Sequence, residues 1–162
     1  MTVSKRVVLA DIEAAYRIWE RTYGDPVSVS DQLLNLRTLL GDNGYPANHP
    51  IFFESIRVGN FATQDSISGA KRERIRSKLH ESGGAYFPPF AIWHPDVGHS
   101  NSDGYFTVDG HTRQHVLYHD FGRKEIKAYI LYSSEERFRH FLFEILKLNG
   151  MRVNQMPVDD DF

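Results

Sequence analysis

The sequence predicts a single α/β (α+β) domain, in which a small mixed sheet is flanked by helices and preceded by extra N-terminal helices. Apolar residues recur at helical spacing in the first third of the chain, which indicates amphipathic helices. Between residues 90 and 132 they instead form short, nearly continuous runs, as expected for buried strands. The 162 residues are 41% hydrophobic and 25% charged, which is typical of a globular domain rather than a disordered chain.

Helices dominate the predicted structure of the N-terminal half. The first two each have a polar cap and a terminating glycine, namely Asp11 with Gly24 and Ser30 with Gly41. Residues 51–53 and 56–58 then look like two short extended pieces. A basic helix follows over about residues 68–81 and ends at Gly83-Gly84.

The remaining segments predict the core sheet and a last helix. Residues 90–93 and 105–108 form a hairpin with a long polar loop, and residues 126–132 form a buried central strand. Between them lies a short helix over residues 111–120. A final helix ends at Gly150, and its apolar stripe is either core or the face of a homodimer. The predicted organisation is an N-terminal helical extension over residues 1–50, a domain over 51–150 and a flexible acidic tail over 151–162.

Composition excludes several classes of function. The chain has no cysteine, which excludes disulfides, thiolate metal sites and cysteine nucleophiles. It shows neither the apolar core of a signal peptide nor a membrane span, so we expect a cytoplasmic protein without a membrane partner. The net charge of −2 gives no overall attraction to nucleic acid. Local attraction is confined to the third helix, which carries Lys71, Arg72, Arg74, Arg76 and Lys78. This cluster is either a DNA-binding surface or a solvated helix face.

The strongest local signal is the turn Asp109-Gly110-His111-Thr112-Arg113, where a strand passes through glycine into a helix. Gly110 lets the backbone approach a ligand, and the first turn of the helix offers N–H groups and a partial positive charge to an anion. Arg113 can add a forked contact, Thr112 a hydroxyl, and His111 a proton donor. The alternative is a tight turn whose Arg113 pairs with a surface carboxylate.

The order of motifs around this turn resembles the ParB/sulfiredoxin superfamily. The resemblance covers about residues 54–132 and is carried by Pro88-Pro89-Phe90-Ala91-Ile92, a hairpin, Val108-Asp109-Gly110-His111-Thr112-Arg113, a helix ending at Gly122, and Ile126-Lys127-Ala128-Tyr129-Ile130. The aspartate before the glycine is closest to the Asp-Gly-Gln-His-Arg branch. Two departures exclude particular activities: there is no cysteine for the sulfiredoxin reaction, and the box reads His-Thr-Arg where partition proteins have Glu-Arg-Arg.

The resemblance implies that Gly110, His111, Thr112 and Arg113 bind the phosphates of a nucleoside triphosphate, ATP or CTP, or of DNA. We therefore expect a hydrolase of phosphate esters, either an NTPase or a DNA nuclease, in which Asp109, His111 and Arg113 are catalytic. On this hypothesis, replacing Arg113 with alanine weakens nucleotide binding more than tenfold and leaves the fold intact. The alternative is a non-catalytic regulator of plasmid or phage origin that binds DNA or a protein.

The sequence suggests two kinds of metal site. The histidines at positions 111, 115 and 119 recur on one helix face, but without an accompanying carboxylate motif we expect polar surface and no protein-held metal site. A catalytic Mg²⁺ held mainly by nucleotide phosphates needs only one or two carboxylates, and the candidates are Asp109, Glu54 and Asp65.

Overall fold

The computed structural model describes residues 4–24, 29–63, 67–95, 104–133 and 151–159. Its helices are α1 Leu9–Tyr23, α2 Val29–Asp42, α3 Gly69–Glu81 and α4 His111–His119. Its strands are β1 Lys5–Val7, β2 Ile51–Arg57, β3 Phe61–Thr63, β4 Ile67–Ser68, β5 Phe90–Trp93, β6 Tyr105–Asp109, β7 Glu125–Tyr132, β8 Met151–Arg152 and β9 Val158–Asp159. Helices and strands therefore combine as the predicted α/β class requires.

The main sheet is mixed, with the strand order β1-β2-β7-β5-β6-β3-β8. Strand β7 lies in the interior of this sheet, antiparallel to β2 and parallel to β5, and its long apolar run is explained by burial on both faces. Strands β5 and β6 pair antiparallel, which confirms the predicted hairpin. Residues 51–57 form one strand rather than two pieces, because their pairing with β7 continues without a break from Phe52 to Arg57.

The limits of α1 and α2 differ from those that the sequence predicts, whereas those of α3 agree. Helix α1 begins at Leu9 and not at Asp11, because the Asp11 carboxylate accepts from the Val8 N–H at 2.9 Å from inside the first turn. Helix α2 already includes Ser30 and continues through Gly41 to Asp42. For α3 the predicted limits are confirmed, and the Ser68 hydroxyl caps the helix by accepting from the Lys71 N–H at 3.2 Å.

The N-terminal helices belong to the same core as the sheet. Ile12 of α1 and Leu36 of α2 lie in one buried cluster with Phe90 and Leu131, and β1 pairs with β2. A second cluster on the other side of the sheet contains Val116 and residues of α3. Residues 4–50 are therefore part of the domain, which differs from the expected separate extension.

The C-terminal segment is also packed, over residues 151–159. Strand β8 pairs with β3, β9 pairs with β4, and Val153 between them is fully buried. The expectation of a flexible tail is therefore wrong for these residues, because Val153 and Met156 are buried. The acidic composition of the end of the chain does not indicate this burial. The predicted final helix at 134–150 lies outside the described residues. None of the helices in the described part of the chain combines the length and apolar character needed to cross a bilayer.

Candidate anion-binding site

The structure forms the strand-to-helix turn that the sequence predicts. Strand β6 ends at Asp109, Gly110 is the N-cap residue with a φ of 96°, and α4 begins at His111. Because glycine has no side chain, it supplies no capping oxygen to the helix. The first N–H groups of α4 have no acceptor within the helix. The turn therefore presents the positive end of a helix dipole to whatever lies in front of it.

Gly110 is required for packing within the protein. A Cβ at this position would lie 2.6 Å from Arg113 Nη2 and 2.8 Å from Pro89 Cβ, and the positive φ is itself unfavourable for other residues. The space left by the missing side chain is thus filled by the arginine and the proline. This differs from our interpretation that the glycine leaves room for a ligand.

Arg113 is buried, with 5% of its surface exposed. Its Nη1 donates to the Phe87 carbonyl at 2.6 Å, and its Nη2 donates to the Gln32 side-chain oxygen. Gln32 in turn donates to the Pro88 carbonyl at 2.9 Å. The guanidinium therefore joins α4 to α2 and to the segment before β5. Neither of the predicted roles, a mobile clamp over an anion or a partner of a surface carboxylate, describes these contacts.

A cleft of about 290 Å³ lies between α2, α3 and the turn. We call it the anion cleft; its lining residues are Asp31, Gln32, Lys71, Arg74, Ile75, Asp109, Gly110, Thr112 and Arg113. Thr112 is 1% exposed, and its Oγ1 has no hydrogen-bond partner among the described residues. A buried hydroxyl without a partner costs about 1–3 kcal/mol. This unpartnered atom beside a helix N-terminus makes the cleft the candidate binding site.

The structure separates the five basic residues of α3 into two sets. Three are engaged by carboxylates: Arg72 with Asp120 at 2.8 Å, Arg76 with Glu73 at 2.9 Å, and Lys78 with Glu81 at 3.3 Å. Lys71 and Arg74 form no ion pair with a described carboxylate and both line the anion cleft. The two are three residues apart and so lie on the same face of α3. Sequence alone could not distinguish these sets.

Two carboxylates also line the cleft. Asp109 is half-buried and accepts from Asn35 Nδ2 at 3.1 and 3.3 Å. Burial raises the pKa of Asp109, and the Asp31 charge adds to this rise, while the Asn35 hydrogen bonds and the charges of Arg113 and Lys71 oppose it. Asp31 lies in the first turn of α2. Sequence reasoning missed Asp31, because its position there is also explained by the helix dipole alone.

Of the three expected Mg²⁺ ligands, Asp109 lines the anion cleft and Glu54 lies apart from it. Glu54 lies on β2, which β7 and β5 separate from β6, so it is roughly 14 Å from the end of β6 at about 4.8 Å per strand. It bonds instead to Ser4 and Tyr132. Asp65 lies outside the described residues. Within the described ranges no three histidine or acidic side chains are arranged to hold a metal ion.

The three histidines of α4 occupy different environments. His111 is the half-buried first residue of the helix and does not line the anion cleft. His115 is 3% exposed, and burial lowers its pKa to about 4, helped by the charges of His119 and Arg72. The rings of His115 and His119 are 4.3 Å apart, and His119 Nε2 lies 2.8 Å from the Asn154 carbonyl oxygen. These last two histidines therefore belong to packing at the far end of α4.

Comparisons of the sequence with models of protein families and with curated proteins find no match. The resemblance to the ParB/sulfiredoxin superfamily therefore stays a prediction carried by the turn and its flanking strands. The function proposed below depends on the geometry of the cleft.

Proposed function

We propose that the protein binds a nucleoside triphosphate, ATP or CTP, whose phosphates occupy the anion cleft. The observation that carries this proposal is the buried, unpartnered Thr112 hydroxyl at the N-terminus of α4, in a cleft where Lys71 and Arg74 have no carboxylate partner among the described residues. A phosphate oxygen satisfies the hydroxyl and is stabilised by the positive end of the α4 dipole, because it accepts hydrogen bonds and carries negative charge.

Each part of the cleft has a distinct task in this proposal. The Thr112 hydroxyl donates to one phosphate, which lies at the positive end of the α4 dipole. Lys71 and Arg74 are exposed on the α3 side and neutralise the outer phosphates. Arg113 contributes a fixed positive charge from below, with its geometry set by Phe87 and Gln32. The charge of a buried guanidinium is poorly screened and so acts on the phosphates without direct contact.

Hydrolysis of a phosphate ester is the activity that the two carboxylates favour. Asp31 and Asp109 line the same cleft as the basic residues, and one or two carboxylates together with phosphate oxygens suit Mg²⁺. When bound, Mg²⁺ polarises phosphoryl oxygens and neutralises their charge. We propose that water attacks a phosphorus atom as its bond to the bridging oxygen breaks, and that Asp109 holds the ion or accepts the proton of the water. His111, at the edge of the site, passes a proton to the leaving oxygen, and the fixed charge of Arg113 stabilises developing negative charge.

A non-catalytic regulator is the second candidate, and the contacts of Arg113 favour it. An arginine that stabilises a transition state must reach the transferring phosphoryl group, whereas two guanidinium nitrogens of Arg113 already donate to the protein. Binding of nucleotide or DNA phosphate without turnover is the behaviour expected of such a protein. DNA would use the same Lys71 and Arg74, because the other basic residues of α3 are paired.

Calorimetric titration with ATP and CTP, with and without Mg²⁺, tests the binding proposal. Replacing both Lys71 and Arg74 with alanine should weaken binding at least tenfold, since each charge-assisted contact contributes about 1.5–3 kcal/mol. Arg76→Ala is the matched control, because it removes a charge from the same helix that is paired with Glu73. Equal affinities of the double variant, the control and the original protein would refute the site. Phosphate release with Mg²⁺, lost in Asp109→Asn, distinguishes the hydrolase from the regulator.

A further inference from the structure

An aromatic cleft of about 230 Å³ adjoins the anion cleft. We define it by six of its lining residues, Trp19, Tyr23, Lys78, Leu79, Tyr86 and Phe87. It lies between the C-terminal ends of α1 and α3, and more of its exposed lining is apolar than polar. Ile75 and Arg113 line both clefts, so the two clefts are neighbours that share part of their lining.

Helix α3 forms one wall of both compartments. Lys71 and Arg74 border the anion cleft, and Lys78 and Leu79 border the aromatic cleft. Lys71 and Lys78 are seven positions apart, which corresponds to about 10 Å along the helix axis. This is the length scale over which a nucleotide extends from its base to its outer phosphates. Each cleft alone is smaller than the roughly 300–1,000 Å³ of a typical small-molecule site, whereas the two together reach that range.

Trp19 gives the aromatic cleft a second feature that points to a ligand. Its ring lies 4.3 Å from the Tyr23 ring and 6.2 Å from the buried Phe87 ring. Its Nε1 is buried and has no hydrogen-bond acceptor among the described residues. A buried indole N–H normally has a partner. An acceptor atom on a planar ligand held between aromatic side chains supplies the missing one.

We propose that the aromatic cleft holds the base of the nucleotide whose phosphates occupy the anion cleft, so this inference rests on the proposed function. Trp19 Nε1 donates to a ring nitrogen or carbonyl oxygen of the base. Tyr23, of which 41% is exposed, stacks on the face of the base, as aromatic side chains do with bases of any sequence. Arg113, which lines both clefts, lies beside the phosphate nearest the sugar.

The test compares nucleotides with inorganic tripolyphosphate, which has the phosphates but no base. With Mg²⁺ present, at least one of ATP, GTP and CTP should bind ten times more tightly than tripolyphosphate. Trp19→Phe keeps an aromatic ring but removes the N–H donor together with the second ring of the indole. It should lower affinity for that nucleotide about fivefold or more and leave affinity for tripolyphosphate unchanged. Trp93→Phe, on strand β5, is the matched control and should change neither affinity.

Fluorescence provides a readout that does not depend on affinity, because the chain has only two tryptophans. In Trp93→Phe the remaining signal comes from Trp19, and the nucleotide should quench it while tripolyphosphate should not. If Trp93→Phe does not fold, the difference between the original protein and Trp19→Phe gives the same signal. Equal binding of nucleotide and tripolyphosphate would refute the base site and leave the phosphate site standing. Failure of both to bind would overturn the two proposals together.

Discussion

Basic residues of α3 lie near both ends of helix α4, but their contacts differ between the two ends. At the C-terminal end, Arg72 of α3 pairs with Asp120, and His119 reaches the Asn154 carbonyl. At the N-terminal end, Lys71 and Arg74 of the same α3 have no carboxylate partner among the described residues, and the Thr112 hydroxyl is buried without one. Basic side chains from one helix are thus paired at one end of α4 and lack a carboxylate partner among the described residues at the other. This difference in pairing, rather than the number of charges, is the basis for proposing a ligand at the N-terminal end.

The largest effect is expected for Arg113→Ala, at the N-terminal end. The change removes the donors to the Phe87 carbonyl and to Gln32 and leaves a cavity beneath Gly110. We expect a loss of about 3 kcal/mol or more in the free energy of unfolding, because buried polar groups lose their partners. Thermal denaturation should show a fall in Tm of the order of 10 °C. This differs from the sequence-based expectation that the variant keeps an intact fold.

Arg72→Ala is the comparison at the other end of α4. The Arg72–Asp120 pair is partly exposed, with about a fifth of each side chain accessible, so its loss should cost about 1 kcal/mol or less. Equal losses from the two variants would contradict the conclusion that Arg113 is the structural arginine of this helix. A tenfold loss of nucleotide affinity in Arg113→Ala with unchanged Tm would restore the clamp hypothesis.

Local signals in the sequence were sufficient for the elements that carry the site. Strand β7 was predicted from its apolar run, and α3 and α4 from the glycines and polar residues at their ends, because these signals act within a few residues. The fate of Arg113 could not be predicted in the same way. Its two partners lie 26 and 81 residues away along the chain, and nothing near the turn indicates them. The box Gly-His-Thr-Arg is equally compatible with an exposed and a buried guanidinium.

Long-range contacts also explain the other differences. The C-terminal segment looked like a loose acidic tail because Val153 and Met156 are isolated apolar residues in a polar stretch, and only β3 and β4 make them buried anchors. Lys71 and Arg74 could not be separated from Arg72 because their difference lies in Asp120, which is 48 residues from Arg72. The sequence therefore predicted the position of the proposed anion site but not which basic residues of α3 lack a carboxylate partner among the described residues.

Thr112→Val tests whether the unpartnered hydroxyl serves a ligand. Valine has nearly the same shape and removes the orphan hydroxyl, so the protein without ligand should gain about 1 kcal/mol of stability, or about 2–4 °C in Tm. The same change should weaken phosphate binding about tenfold or more, as expected for one lost hydrogen bond to a charged group. Thermal denaturation and calorimetric titration with tripolyphosphate measure the two effects.

Thr107→Val is the matched control for this prediction. Thr107 is as buried as Thr112, but its hydroxyl donates to Gln114 Oε1 at 2.7 Å. Removing it leaves the glutamine without that donor, so Thr107→Val should lower Tm and leave phosphate affinity unchanged. If both threonine variants lose stability, the Thr112 hydroxyl has an internal partner and is not left for a ligand.

The smallest effect is expected at the C-terminal end, where His115 should make stability depend on pH. Burial lowers its pKa to about 4 in the folded protein, compared with about 6.5 in an unfolded chain. The unfolded state therefore binds the proton first, and stability falls as the pH drops from about 6.5 toward 4. Between pH 7 and pH 5.5 this group should cost about 1 kcal/mol, or about 2–4 °C in Tm. His115→Gln should reduce the slope of Tm against pH in that window, whereas exposed His80→Gln should not. An unchanged slope in His115→Gln would mean that burial does not lower the pKa of His115, and the pH dependence of stability would then come from other groups.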